Sequence, residues 1–209
     1  LPRPCQAARI WRALPGNLLA DINTRADIFL LGLSCSDRVV GTYGLAAMVA
    51  EGFAQIPLVL RMNVNPLLTI RQAEQGTAAL QHLVTRGKSL ARKFLFPLGV
   101  VALLGYPGLV RLLALPPGLD DTWGYFSVLL AGLLASAPYL PFSMLFNQLG
   151  KPGCQTAYWT LSFLTNVGIN LLLIPTWGPW GAALASSLAL LCQIVYLKVM
   201  AAKYAGIRL

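Results

Sequence analysis

The stretch from Pro152 to Leu197 contains no Asp, Glu, Lys, Arg or His. It is longer than the roughly 20 apolar residues that one membrane crossing requires, and two prolines and two glycines interrupt it between Pro175 and Gly181. Because proline and glycine end helices and favour turns, this stretch predicts a hairpin of two transmembrane helices. A soluble domain that exposed so long an uncharged segment would aggregate. The chain is therefore predicted to lie in a bilayer.

The composition of the whole chain agrees with this prediction. Of its 209 residues, 56% are hydrophobic and 11% are charged, whereas soluble domains carry about 25% charge. The net charge of +9 is typical of basic cytoplasmic loops that face anionic lipid. No basic stripe lies on a polar helix face, so membrane lipids rather than nucleic acid are the expected partners.

The apolar segments predict an all-α, polytopic membrane protein that forms a six-transmembrane-helix bundle in a single domain, 1–209. A basic amphipathic helix at about residues 72–92 either lies on the inner membrane surface or simply connects two spans. Pro138 and Pro141 are expected to kink the fourth span. From the length that a bilayer requires, the spans lie at about residues 15–35, 40–60, 94–115, 123–146, 153–174 and 178–197.

The distribution of basic residues predicts the orientation. If six helices alternate in direction, thirteen of the sixteen Lys and Arg residues fall on one side, which places both termini in the cytoplasm. The chain starts at Leu1 rather than at a methionine, and no apolar region directly follows its first residues as in a signal peptide. We therefore expect it to be a piece of a longer protein.

The first span is unusual because it contains Asp21, Arg25 and Asp27. Each charge costs about 2.5–3.5 kcal/mol on insertion scales, so these side chains must face protein partners or a watery cavity. Asp21 and Arg25 are four residues apart and can pair, whereas Asp27 points about 160° away from Arg25. Glu51 lies in the second span at a depth similar to that of Arg25, so an Arg25–Glu51 pair between helices is plausible.

These residues are the candidate substrate-binding site, in which Arg25 is the cavity cation. A guanidinium binds an anionic group such as phosphate bidentately, although a buried ion pair that fixes helix packing is the alternative. For Asp21 and Glu51 the packing role is favoured. Asn166 and Asn170 lie one turn apart in the fifth span, as polar residues that line transporter cavities do, although a packed kink is equally allowed.

No catalytic, metal or cofactor site is predicted. The only histidine is His82, the four cysteines form no CxxC pair, and no GxSxG, P-loop or GxGxxG motif occurs. The chain is therefore predicted to be a transporter rather than an enzyme.

Five short segments carry a resemblance to a known family. Ala26–Gly32 and Val40–Ala46 resemble the seventh and eighth helices of polysaccharide-lipid flippases, and Asn147–Pro152, Asn170–Pro175 and Gly178–Ala185 resemble the eleventh and twelfth. These proteins form the oligosaccharide flippase branch of the multidrug/oligosaccharidyl-lipid/polysaccharide exporter superfamily, which handles lipid-linked O-antigen or capsule repeats.

The resemblance implies two six-helix lobes around a central cavity that opens alternately to each side. It further implies that a polyprenyl-diphosphate-linked oligosaccharide moves across the bacterial cytoplasmic (inner) membrane for the biosynthesis of lipopolysaccharide or another cell-surface polysaccharide. The chain matches the C-terminal lobe, so the missing N-terminal six-helix lobe or a second copy is the implied partner. Cavity cations of this family are thought to meet the diphosphate, and Arg25 is the only central arginine here.

Two alternatives remain open. A cation-coupled multidrug exporter of the same superfamily would use Asp21 and Asp27 as its ion or proton site. An integral-membrane sugar polymerase or acyltransferase would need a large outer loop or a cluster of His, Asp and Glu, and neither is visible in the sequence.

Overall fold

A computed structural model describes residues 4–112, 121–207 and 209, and for 4–17 and 71–79 it describes the backbone alone. No strand occurs in these described residues, which confirms the all-α class. A 3₁₀ turn at Leu140–Phe142 precedes α4, and a π-helical turn at Ala201–Ala205 follows α5. The α-helices are α1 (Pro4–Ser34), α2 (Asp37–Leu112), α3 (Asp121–Ser136), α4 (Leu145–Gln148) and α5 (Pro152–Met200).

Three helical segments in the described part of the chain are long and apolar enough to cross a membrane. They are Asp37–Ile70 (α2a), Leu80–Leu112 (α2b) and Pro152–Ala205, and a fourth results if α3 and the bent segment Leu140–Gln148 form one span. The chain is thus a multi-pass membrane protein with three or four candidate spans. Helix α1 is not among them, and the count of six spans stays a prediction.

Helix α5 folds back on itself near its middle. The hydroxyl groups of Thr165 and Tyr196 are hydrogen-bonded at 2.8 Å, although 31 residues of straight helix would separate them by about 46 Å. The backbone leaves helical geometry at Gly178, where φ is 55°, a left-handed conformation that favours glycine. The hairpin predicted for Pro152–Leu197 is therefore present, with arms 152–177 (α5a) and 179–200 (α5b).

Helix α2 also folds back on itself. The Tyr43 ring lies 6.2 Å from the Tyr125 ring, and the Tyr106 ring stacks on Phe126 at 4.5 Å between centroids. Tyr43 and Tyr106 would be about 95 Å apart in a straight helix, yet they contact adjacent residues of α3. Segments α2a and α2b are therefore antiparallel neighbours.

The apolar stripe of the predicted amphipathic helix is buried against other parts of the protein. Leu80 and Val84 belong to a buried cluster with Phe142 and Phe146, and Ala91 packs with Ala137. The segment is helical and continuous with α2. Because protein contacts cover the stripe, its burial favours the connector alternative over a helix on the membrane surface.

The predicted kink in the fourth span is confirmed. Helix α3 ends at Ser136, just before Pro138, and the segment Leu140–Gln148 continues at an angle of 60° to it. Proline removes a backbone donor and clashes with the preceding turn, which explains why the helix stops there.

The two ends of the molecule have separate apolar cores. One core contains Leu31, Tyr43, Tyr106, Phe126 and Ala182. The second lies at the end of the molecule that carries most of the lysines and contains Leu68, Val84, Phe142, Tyr158 and Leu197. Helices α1, α2 and α5 each contribute residues to both cores, so a side chain near the middle of these helices is flanked by packed residues on both sides.

Gly181 lies where the two arms of α5 approach each other closely. A Cβ atom at this position would lie 2.3 Å from the carbonyl oxygen of Leu173, and a backbone oxygen cannot move aside as a flexible side chain can.

We expect Gly181→Ala to destabilise the fold by about 1–3 kcal/mol, because the hairpin arms must separate to admit the methyl group. Thermal unfolding of the full-length protein in detergent measures this. Gly168→Ala is the matched control, since no heavy atom lies within 4 Å of the added Cβ and alanine favours a helix by up to about 1 kcal/mol. Equal midpoints for the two variants would contradict the close approach at Gly181.

Candidate functional site

Helix α1 brings the charged residues of the first predicted span against two other helices. It packs extensively along α5 and also touches α2. Its polar residues fall on two sides, because successive residues of a helix differ by about 100° in direction. Asp27 and Asn23 face the protein interior, whereas Arg25 points away from it.

Arg25 forms the predicted ion pair with Glu51. The Nη2 atom of Arg25 lies 3.2 Å from Oε2 of Glu51, and 71% of the Arg25 side chain and 26% of the Glu51 side chain are exposed. This pair links α1 to α2a at the surface of the bundle rather than in its core. A guanidinium in this position would be costly if it faced lipid tails, so this face must meet water or another polypeptide.

The alternative pairing within α1 does not form. Among the described residues Arg25 pairs with Glu51, and Asp21, which is exposed one turn earlier on the helix, interacts electrostatically with Arg61. The Arg25–Glu51 contact therefore joins two helices, and the charge of Asp21 acts on Arg61 of α2a rather than forming a pair with Arg25.

Asp27 is the buried carboxylate of the site, with 7% of its surface exposed. Its Oδ2 atom accepts hydrogen bonds from the Tyr43 hydroxyl at 2.5 Å and the Ser186 hydroxyl at 2.9 Å. Its Oδ1 atom accepts one from the backbone N–H of Ile28 at 2.8 Å. Asp27 therefore connects α1, α2a and α5b, and it points away from Arg25 as predicted.

The two predicted asparagines form a ladder between α1 and α5a. The Asn166 amide nitrogen donates to the backbone and side-chain oxygens of Asn23, both at 3.0 Å. The Asn170 amide nitrogen donates to the side-chain oxygen of Asn166 at 2.8 Å and to its backbone oxygen at 2.9 Å. Asn170 is fully buried, and its Oδ1 atom accepts no hydrogen bond in the described part of the chain.

Asp27 and Asn170 each lie one helical turn beyond the Asn23–Asn166 contact. The oxygens of this region are the Asp27 carboxylate, the hydroxyls of Tyr43 and Ser186, and the amide carbonyl of Asn170, which accepts no hydrogen bond in the described part of the chain. Oxygen ligands of this kind can bind a proton or a hard cation through their lone pairs. Among the described residues no three His, Cys, Asp or Glu side chains converge as a metal-binding group.

Tyr43, Ser186 and Asn23 contribute to the site although the sequence did not predict it. Ser186 lies within a run of small residues that reads as a packing surface, and Tyr43 lies in an apolar segment. Their partners are 16, 159 and 143 residues away, and no local pattern marks such pairings. The sequence feature that could have indicated these partners is Asp27 itself, because a carboxylate inside a span requires hydrogen-bond donors from the protein.

Comparison with known proteins gives one distant relative. The chain is 27% identical over 173 residues to the protein named "Probable flippase AglR" of Haloferax volcanii, a match that covers 78% of the chain and 35% of that protein. The chain thus spans about a third of the length of this relative. No family model matches the chain, and no solved structure matches it.

The hydrogen bonds to Asp27 predict a stability effect. We expect Tyr43→Phe to destabilise the protein by about 1–3 kcal/mol, because a buried carboxylate loses a donor that lipid cannot replace. Thermal unfolding in detergent checks this, with Tyr204→Phe as a control whose ring is partly exposed. A Tyr43→Phe midpoint equal to that of the control would show that the Asp27 contact does not stabilise the bundle.

Proposed function

We propose that the chain is one six-helix lobe of a flippase that moves a polyprenyl-diphosphate-linked oligosaccharide across the cytoplasmic membrane by alternating access. The similarity to a protein named as a flippase supports this class over an enzyme. The observation that carries the proposal is the outward-facing Arg25–Glu51 pair. It offers a cation on a surface that cannot face lipid tails without a large cost.

The proposed six spans rest on the folding back of α2 and α5. Each of these helices supplies two antiparallel arms, α3 with its bent continuation supplies a fifth crossing, and α1 supplies the sixth. Under this arrangement Lys88, Lys151, Lys198 and Lys203 lie at one end of the bundle, which the positive-inside bias assigns to the cytoplasm. Both termini are then cytoplasmic.

The relative is archaeal. It therefore does not support a bacterial inner membrane, nor an O-antigen or capsule substrate.

A second lobe completes the proposed transporter. The chain covers 35% of its relative, and the exposed face that carries Arg25 needs a polar or aqueous neighbour. Either an N-terminal six-helix lobe or a second copy of this chain would supply the opposite wall of a central cavity. Arg25, Glu51 and Asp21 would line that cavity.

The geometry suggests how an anion would be held. In the observed structure Glu51 neutralises Arg25 through one contact. A diphosphate offers more oxygens than a single carboxylate contact and fits the planar fork of a guanidinium bidentately. The substrate would therefore replace Glu51 as the partner of Arg25, and Glu51 would restore the pair when the substrate leaves. Asp27, Asn166 and Asn170 hold α1 in place behind this exchange.

The test is made in the intact host protein. We expect that depletion of the full-length gene product raises the amount of lipid-linked sugar on the inner leaflet, and that Arg25→Ala fails to restore export. A charge-assisted hydrogen bond is worth about 1.5–3 kcal/mol, so we expect export to fall at least about tenfold. The measurement is the fraction of lipid-linked sugar accessible on each leaflet.

Arg111→Ala is the matched control, because Arg111 is an exposed arginine at the end of α2b. Normal export with Arg25→Ala would overturn the role of Arg25. An unchanged distribution of lipid-linked sugars after depletion would overturn the flippase proposal itself.

A cation-coupled drug exporter is the second candidate function. Two observations favour it, which are the burial of the Asp27 carboxylate and the unpartnered buried oxygen of Asn170. In that case Asp27→Asn should abolish the efflux of a cationic dye such as ethidium from loaded cells, while lipid-linked sugars stay evenly distributed. Asp37→Asn is the control for loss of a carboxylate, because Asp37 is exposed at the first residue of α2a. Unchanged dye efflux after depletion of the protein excludes this candidate.

A further inference from the structure

Two lysines from distant parts of the chain meet over one tyrosine ring. The Nζ atom of Lys88 lies 4.8 Å from the centroid of the Tyr139 ring, and that of Lys198 lies 4.7 Å from the same centroid. The two ammonium groups are therefore no more than about 10 Å apart. Lys88 belongs to α2b and Lys198 to α5b, and Tyr139 lies in the bend after α3. We call Lys88, Tyr139 and Lys198 the tyrosine–lysine cluster.

The segments that carry the tyrosine–lysine cluster contain no carboxylate. Segment α2b, α4 and α5 contain no Asp or Glu, and none occurs anywhere in residues 122–209. Arg92 adds a further cation one turn after Lys88. Like charges repel at this spacing, and each aromatic contact offsets this only in part. The cluster thus contrasts with Arg25, which has Glu51 as its partner.

The tyrosine–lysine cluster lies where an apolar surface ends. Leu90 and Phe94 are exposed on α2b two and six residues after Lys88, and Val195 and Val199 are exposed on α5b within one turn of Lys198. Lys198 is separated from Gly178 by a helix of about 30 Å, which is the thickness of the hydrocarbon core of a bilayer. A hairpin whose turn at Gly178 lies at one membrane surface would place Lys198 at the level of the lipid phosphates of the other surface.

We propose that the tyrosine–lysine cluster binds the phosphate of an anionic lipid headgroup. Two ammonium groups and the Tyr139 hydroxyl are hydrogen-bond donors, and basic pockets between transmembrane helices bind such headgroups. The acyl chains would lie along the exposed apolar residues of α2b and α5b. The lipid would neutralise the cluster and hold α2b, the bend after α3 and α5b together. This site is separate from the Arg25–Glu51 pair and does not depend on the flippase proposal.

The test uses the full-length protein in micelles of a neutral detergent. Equilibrium binding is measured for a fluorescent phosphatidylglycerol and a fluorescent phosphatidylcholine of the same acyl length. We expect the wild type to bind phosphatidylglycerol at least about tenfold more tightly. In the double variant Lys88→Gln, Lys198→Gln this preference should fall to about twofold or less, and in Lys88→Arg, Lys198→Arg it should persist because the charge remains.

The matched control is the double variant Lys93→Gln, Lys203→Gln, which removes the same charge outside the cluster. Lys93 is exposed. Lys203 lies 5.4 Å from the Tyr204 ring, so the control variant also loses a contact between a lysine and an aromatic ring. An equal loss of preference in this control would overturn the site in favour of diffuse surface charge. Equal binding of the two lipids to the wild type would also overturn it, whether or not the glutamine variants fold.

A competition experiment identifies the source of the phosphate. Inorganic diphosphate should displace the labelled phosphatidylglycerol poorly, because it lacks acyl chains to pack on the exposed apolar residues. Displacement by inorganic diphosphate as effective as that by unlabelled phosphatidylglycerol would overturn the lipid assignment and indicate a site for a soluble anion.

Discussion

The arrangement of the helices depends on the need to satisfy a carboxylate inside a membrane bundle. Lipid offers no hydrogen bonds, so the donors to Asp27 must come from the protein. The structure supplies them from Tyr43 and Ser186, which belong to α2a and α5b. Because the hydroxyls of both must reach one oxygen, the rotation of three helices about their axes is fixed together. The contact between Asn166 and Asn23 fixes α1 against α5a in the same way.

The same helix presents a very different surface two residues away. Arg25 lies on the side of α1 opposite Asp27, where it is exposed and held by Glu51. Buried hydrogen bonds thus position the helix, while the outward side keeps a cation available. This division explains how one short segment can contain several charges and still pack in the bundle. Hydrogen-bond donors of the protein offset the cost of burying Asp27, and Arg25 is not buried.

The cations of the molecule fall into two kinds. Arg25 has a carboxylate partner, so an incoming anion must displace Glu51. Lys88 and Lys198 share an aromatic ring, and the segments that carry them contain no carboxylate, so an anion would not have to displace one. The first arrangement suits reversible binding of cargo, and the second suits a lipid that stays bound.

The sequence by itself determined the bilayer environment, the helical class, the hairpin within Pro152–Leu197 and the kink near Pro138. These features follow from composition and from the local chemistry of proline and glycine, which act over a few residues. It also indicated the Arg25–Glu51 pair, because helical rise predicts depth from residue number. Only the tertiary structure decided that Arg25 is exposed, which hydroxyls satisfy Asp27, and that Lys88 and Lys198 meet at Tyr139. Those outcomes depend on how each helix is rotated against neighbours distant in the sequence, and that rotation is set by packing and hydrogen bonding of the whole bundle.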